Sequence, residues 1–353
     1  MIKIKLAILD SDENYLLRIS SVFNNKLADK VELYTFTDID IAMDVIVRKR
    51  IDVFVAGEEF DINTARLPEE CAFAFLTQAK DIDTYKGERV IAKYQRADLI
   101  YKQALSLYSE KATNISGIKF DDTDTMITSF FSCGGGAGAS TIAAACAVNL
   151  AQSAKVIYLN LDPLGDVSCF FSGEGQFDIS DVIYAIKSKR SNLTLKLEST
   201  VKSDTSNVMF YDSSKSAFDM TELDTDDIKT LINGLKIVGS YDYIIIDAQF
   251  SLDDKSIEIM DQSNKIVFVS DGSRISNSKW SRLYEALTII EERKNKKILS
   301  KLFMIYNKFS DRTSSIIEND AVQVLGGVPR FKNGDVMQIV KEVASMRIFD
   351  NLS

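Results

Sequence analysis

The chain has 353 residues, enough for two domains of ordinary size, each with its own core. Hydrophobic residues make up 46% and charged residues 26%, the balance of a globular protein, and the absence of histidine excludes imidazole-based triads and metal sites. The net charge is −9, with 16 Lys/Arg against 19 Asp/Glu in residues 1–112 and 26 against 32 in the rest. Acidity in both halves speaks against a surface that coats nucleic acid, because such binding depends on neutralising phosphates.

No apolar run approaches the roughly 18 residues of a membrane span. The opening stretch, Met1 to Asp10, reads as a strand reaching an acidic turn, not as a signal peptide. Cys71, Cys133, Cys146 and Cys169 show no CxxC spacing, which points to reduced thiols in a cytoplasmic protein.

Strands and helices alternate from the start. Ile2–Leu9 is a first apolar run, and Leu16, Ile19, Phe23 and Leu27 follow at helical spacing. Val31–Phe36 is a strand, Ile39–Val47 a helix and Val53–Ala56 a buried strand. Ala72–Leu76 and Val90–Ala92 are further strands, and a helix places Ala97, Ile100, Ala104 and Leu107 on one face. Such alternation predicts a parallel sheet with helices on both sides.

Asp10 and Asp12 follow the first strand, Thr77 closes the fourth and Lys93 follows the fifth. In these residues the first half resembles a response-regulator receiver domain. The resemblance implies an aspartate phosphoacceptor at the end of the third strand, but that residue is Gly57. Glu58 and Glu59 are adjacent, yet one residue of shift along a strand turns a side chain to the other face. The expectation is a receiver fold kept for docking, without phosphorylation as its switch.

The polar stretches Thr113–Gly117 and Asp121–Asp124 carry turn formers and read as a linker. The expected organisation is residues 1–115 as the receiver-like domain, 116–124 as linker and 125–353 as a second domain.

In that second domain Met126–Phe131 is a strand and Ile142–Ala151 an alanine-rich helix, with the glycine run of residues 133–141 between them. That order is the setting of a phosphate-binding loop. Gly134, Gly135, Gly136, Ala137, Gly138, Ala139, Ser140 and Thr141 are the candidate cradle. Glycines let successive N–H groups curve around phosphate oxygens, and the helix N-terminus adds its dipole. Val156–Leu161, Val208–Tyr211, Ile266–Val269, Leu302–Tyr306 and Gly327–Pro329 read as strands, and Val182–Ile186 and Ile228–Val238 as helices. Tyr243–Asp247 is an apolar strand ending in a carboxylate. Ser140 and Asp247 are the candidate Mg²⁺ ligands, the carboxylate acting through water.

This half resembles the deviant-Walker ATPases of the MinD/ParA group, whose loop reads K-G-G-x-G-K-[ST]-[ST]. Both of that loop's lysines are absent, their places being Gly134 and Ala139. The segment Asn160-Leu-Asp-Pro163 matches the group's D-x-D-P with the first acid replaced. The resemblance implies that Asn307 reads the adenine edge, that Pro329 and Arg330 lie in the loop covering the base, and that Asp162 orients an attacking water. A lost charged hydrogen bond of about 1.5–3 kcal/mol would weaken ATP without abolishing its binding. Hydrolysis should suffer more, since one preorganised donor is worth about 10²–10³ in rate.

A receiver-like domain followed by such an ATPase, covering nearly the whole chain, resembles the TadZ/CpaE group. That resemblance implies two three-layer αβα domains, an α/β class throughout, with ATP and Mg²⁺ as cofactors. It also implies a homodimer in the cytoplasm at the cell pole, docking to a polar landmark or to secretion components of a Tad (Flp, type IVb) pilus. The alternative is an active ParA/MinD-type ATPase positioning cargo on DNA or membrane.

Three further features read blandly. Cys133 beside the loop is a small residue tolerated there. The apolar stripe Val336, Ile339, Val340, Val343 and Met346 is a core-packing helix, and the Ser/Thr-rich span Ser191–Ser206 is a surface excursion.

Overall fold

The computed structural model describes residues 3–79, 82–112, 124–132, 134–189, 191–238, 240–317, 321–332 and 334–352. The expected linker residues 116–123 and Cys133 lie outside the described residues. The described chain divides into two compact units, one of residues 3–112 with 185–200, the other of 124–184 with 201–352.

In the first unit the order is β1 (Ile4–Leu9), α1 (Glu13–Lys26), β2 (Val31–Phe36), α2 (Ile39–Lys49), β3 (Val53–Gly57) and β4 (Ala72–Thr77). The short β5 (Thr84–Tyr85), then β6 (Glu88–Ala92) and α3 (Ala97–Lys111), complete the run. The strands lie in the order β2-β1-β3-β4-β6-β5, parallel except for the β5–β6 hairpin. Asp12 and Asp38 cap α1 and α2 by accepting from the N–H groups of Tyr15 and Ile41, which fixes where each helix starts. Alternate strand residues face opposite layers. Leu6, Ile8, Val53 and Val55 meet Ile19, Phe23 and Ile100, while Ala7, Leu9, Phe54 and Ala56 meet Ala42 and Ile46.

The second unit begins with β7 (Met126–Ser132), α4 (Ala139–Leu150), β8 (Val156–Asn160) and the first part of α5 (Ile179–Ser188). After α6 (Leu193–Thr200) of the first unit it continues with β9 (Lys202–Ser203), β10 (Met209–Phe210), α7 (Ala217–Glu222), α8 (Thr225–Val238) and β11 (Tyr243–Asp247). It ends with α9 (Asp254–Gln262), β12 (Lys265–Ser270), α10 (Arg274–Lys294), β13 (Leu302–Phe309), β14 (Gln323–Pro329) and α11 (Val336–Ala344).

Its eight strands run β14-β13-β12-β7-β11-β8-β10-β9, all parallel except for the β9–β10 pair. Both faces are covered, as a parallel sheet requires. Phe130 packs with α4 and α11, whereas Phe131 stacks on Phe268 at 5.6 Å between centroids, and Phe268 meets Trp280 of α10. The alanines of α4 let α11 approach closely, and α11 buries Val340, Val343 and Ala344 against it. The core-packing character expected of that helix is what the structure has, with Val336 and Met337 on its exposed side.

The span Ser191–Ser206 differs from expectation. It is no surface excursion, because α6 packs on α3 within the first unit. Leu195 and Leu197 are buried, and Lys196 Nζ, itself buried, donates to Ser106 Oγ at 2.9 Å. Asn192 N–H donates to the Ser109 carbonyl at 2.8 Å, and Glu198 receives Lys30 at 2.9 Å and the Tyr101 hydroxyl at 3.2 Å. The polar residues of this helix read as solvent-facing in the sequence, but they bond to polar positions of α3. Leu195→Ala should therefore destabilise the first unit by about 2–4 kcal/mol in urea unfolding, as for a core leucine. A surface segment would lose less than about 0.5 kcal/mol.

Candidate functional sites

In the first unit, Asp10, Thr77 and Lys93 come together at the C-terminal ends of the parallel strands, all buried. Lys93 Nζ donates to Asp10 Oδ1 at 2.7 Å and lies 4.0 Å from Asp12 Oδ2. The Asp12 N–H donates to the same Asp10 oxygen at 2.8 Å, and the Thr77 hydroxyl donates to the Ala79 carbonyl at 3.0 Å. Breaking a buried pair such as Lys93–Asp10 leaves a charge uncompensated and is strongly destabilising.

Gly57 closes β3 as expected, but its surroundings are not those of an empty position. The Glu59 side chain folds back over it, so a Cβ added at Gly57 would stand 2.3 Å from Glu59 Oε2. The Glu59 carboxylate is fixed there by the Ser11 hydroxyl at 2.7 Å and the Ser11 N–H at 3.1 Å. Burial pushes the Glu59 carboxyl up, but the Ser11 bonds and the Lys93 charge outweigh it and hold the group below its ordinary value. On a continuing strand residue 59 would share the face of residue 57 but stand roughly 6–7 Å further along. β3 ends at Gly57, and the turn closed by Phe60 N–H to Gly57 carbonyl at 3.1 Å brings the glutamate back.

Gly57→Asp should lower stability by about 1–3 kcal/mol, because it overfills this space and opposes a second carboxylate. Combining it with Glu59→Ala should recover most of the loss. A denaturant double-mutant cycle measures the coupling, and additive losses would contradict the steric account.

In the second unit the candidate residues lie at the C-terminal ends of β7, β8, β11, β13 and β14, where ligands of open α/β sheets bind. The central strand β7 delivers the glycine loop to α4. Gly138 caps that helix at φ 89° without any side-chain cap, and Gly136 has φ 76°, both left-handed. Gly138 is also required by space, since a Cβ there would lie 2.3 Å from Asn307 Nδ2. The loop is braced by neighbours: Ser132 Oγ donates to the Gly134 carbonyl at 2.7 Å and Asn307 Nδ2 to the Ala137 carbonyl at 2.7 Å. Asn307 is buried behind the loop, and Pro329 and Arg330 stand exposed at the end of β14, beside β13.

Asp247, 2% exposed, is paired in register with Phe130 and Asn160. Tyr158 donates its hydroxyl to Asp247 Oδ2 at 2.7 Å, and the Ser140 side chain lies near enough to favour the charged carboxylate. Burial pushes Asp247 up to about 6, against the influence of Tyr158 and Ser140 and helped by the nearby Asp162 charge. Tyr158 was missed in the sequence. Strand alternation puts it on the same face as Asn160, but only the pairing of β8 with β11 brings its phenol to Asp247.

Asp162 lies in the turn after β8. Its Oδ1 accepts the Leu164 N–H at 2.9 Å, and the Asp162 N–H donates to Asn160 Oδ1 at 2.8 Å. Asn160 packs so tightly on Gly165 that a Cβ there would lie 2.3 Å from its amide nitrogen. The asparagine in place of the first acid thus shapes the turn.

Ser140 and Asp247 supply oxygen donors suited to Mg²⁺, and α4 presents N–H groups to an anion. No cluster of three or more potential metal-ligating His, Cys, Asp or Glu residues occurs among the described residues. A magnesium ion would therefore depend on phosphate oxygens for most of its shell, as it commonly does. Cys146 is fully buried and its thiol is raised by burial, so it is inert, while Cys169 is exposed.

Residues 2–109 match the family model described as TadZ-like, receiver domain, and residues 125–300 match that described as AAA domain. The chain thus has a TadZ-like receiver domain followed by an AAA domain. A search of curated proteins finds no match. Among solved structures, a ParA family ATPase from Chlorobium tepidum TLS is 22% identical with a TM-score of 0.49, over 64% of this chain and 91% of that one. The septum site-determining protein MinD complexed with Mg-ADP, from Pyrococcus horikoshii OT3, is 19% identical with a TM-score of 0.47, over 62% and 94%. The cell division ATPase MinD of Pyrococcus furiosus is 17% identical with a TM-score of 0.45, over 65% and 99%. No helix among the described residues of this TadZ-like chain is long and apolar enough to cross a membrane.

A carboxyl raised to about 6 makes the folded state bind a proton that the unfolded state releases from about pH 4 upward. Stability from this group is therefore present at low pH and lost as pH rises through about 6. In magnesium-free buffer Asp247→Asn should raise stability at pH 7.5 by on the order of 2–3 kcal/mol. That advantage should fade as pH drops toward 5 in thermal melts.

Proposed function

We propose that this TadZ-like chain binds MgATP at the loop of residues 134–141 and acts as a dimeric scaffold in Tad pilus assembly. In this reading it works in the cytoplasm at the cell pole, with slow or absent hydrolysis. The observation that carries the reading is the nearness of Ser140, at the start of α4, to the buried Asp247, beside an open helix N-terminus. That arrangement supports a preformed seat for a phosphate-bound magnesium. The loop N–H groups and α4 would hold the phosphates, Ser140 and Asp247 the ion, and Asn307, Pro329 and Arg330 the base.

Gly134 and Ala139, where the resembling loop has lysines, support weak or absent turnover. Asp162 is the residue proposed to orient water if any turnover remains. The receiver-like unit would dock to a pilus component or polar landmark; Tyr15, Arg18, Val22 and Tyr94 line a cavity of about 630 Å³ there.

The test is equilibrium MgATP binding together with oligomer mass, with and without nucleotide, and a phosphate-release assay. Expected are binding at cellular ATP concentrations, a dimer, and turnover about 10²–10³-fold below that of loops carrying both lysines. Absence of binding at millimolar ATP would refute the nucleotide reading. Brisk turnover lost on Asp162→Ala, with salt-sensitive DNA binding, would favour an active partition-type ATPase instead.

A further inference from the structure

Lys308 is the second residue by which the end of β13 grips the glycine loop. Its Nζ donates to the Gly136 carbonyl at 2.7 Å, one residue along from the carbonyl that Asn307 holds. Its position is built, not incidental. Asn307 pairs with Val328 and Phe309 with Pro329, so Lys308 is the extra residue of a bulge in β13. Its φ is 58°, in the left-handed region that a lysine enters at a cost. Bulges and such backbone conformations cluster where a side chain must be re-aimed at a site. Meanwhile the loop carries no cation at Gly134 or Ala139, although it leads into the N-terminus of α4, which favours an anion.

We propose that Lys308 supplies, from β13, the phosphate-binding cation that the loop's own residues lack. The ammonium already rests on the loop, and its flexible four-carbon stem lets it transfer from the Gly136 carbonyl to a phosphate oxygen without backbone movement. Asn307 would anchor the loop so that the lysine's reach is fixed. The ligand class is a nucleoside triphosphate or diphosphate. This inference rests on the proposed MgATP site.

The experiment measures affinity of the full chain for MgATP, MgADP and adenosine. Lys308→Gln keeps a donor for the Gly136 carbonyl but removes the charge. It should weaken MgATP by about tenfold or more, the loss of one charged hydrogen bond, with adenosine binding unchanged. Ala139→Lys, which returns a lysine to the loop, should restore the MgATP affinity of Lys308→Gln. Lys308→Gly, which suits the positive φ, should lose MgATP affinity to a similar extent yet melt no lower than wild type, separating loss of affinity from loss of fold. Wild-type MgATP affinity in Lys308→Gln would overturn the assignment while leaving the nucleotide site standing. An equal loss for adenosine and MgATP would overturn it as well, because it would mark a role in shaping the base pocket. A wild-type chain that binds no MgATP at millimolar concentration would overturn the site and the assignment together.

Discussion

The second unit depends on one buried carboxylate. Asp247 sits at the end of a central strand with almost no exposure, and isolated burial of that kind is unfavourable for an ionised group. Tyr158 of β8 bonds to it, and Ser140 of α4 lies beside it. These neighbours connect the strand pairing of β8 with β11 to the position of the helix that follows the glycine loop. Gly138 then needs its left-handed conformation, and Asn307 is brought close enough that no larger residue fits at 138. Loop, helix start and two further strand ends are in this way one interlocked assembly.

The first unit has a parallel centre, the Lys93–Asp10 pair, also buried at strand ends. Here the reacting position has been refilled by a neighbour. Gly57 removes a side chain, and Glu59 occupies the vacated space with a carboxylate held by Ser11. In the second unit the comparable loss is of lysines from the loop, and the side chain that meets the loop instead is Lys308 from β13. In both units the chemistry-bearing residue type has left its usual place while a like-charged group arrives from elsewhere in the fold.

Much of this was legible along the chain. Alternation at periods of 2 and 3.6 located the central strands and most helices, because each buries one face against a layer, but not α6, α7, α9 or α10. The glycine run between a strand and a helix identified the loop, and an apolar strand ending in an acid identified Asp247. Local pattern failed where burial depends on a distant partner. The Ser/Thr-rich span looked solvated because the partners of its Lys196 and Glu198 side chains, Ser106, Tyr101 and Lys30, lie about 90 residues or more away in the sequence. That Glu59 folds over Gly57 was not legible, because a turn, not a strand, follows Gly57.

The sequence by itself determined the α/β class, the two-domain order, the glycine loop and the absence of acid and lysines at Gly57, Gly134 and Ala139. Those are matters of residue type and local spacing, which the backbone expresses wherever the chain goes. Only the tertiary structure decided what stands beside those positions. Tyr158 reaches Asp247 through strand order, Glu59 reaches Gly57 through a turn, and Lys308 reaches Gly136 across 172 residues through a bulge. Hydrogen bonds extend only about 3 Å, so contacts between residues remote in sequence exist only once the sheet has set its register.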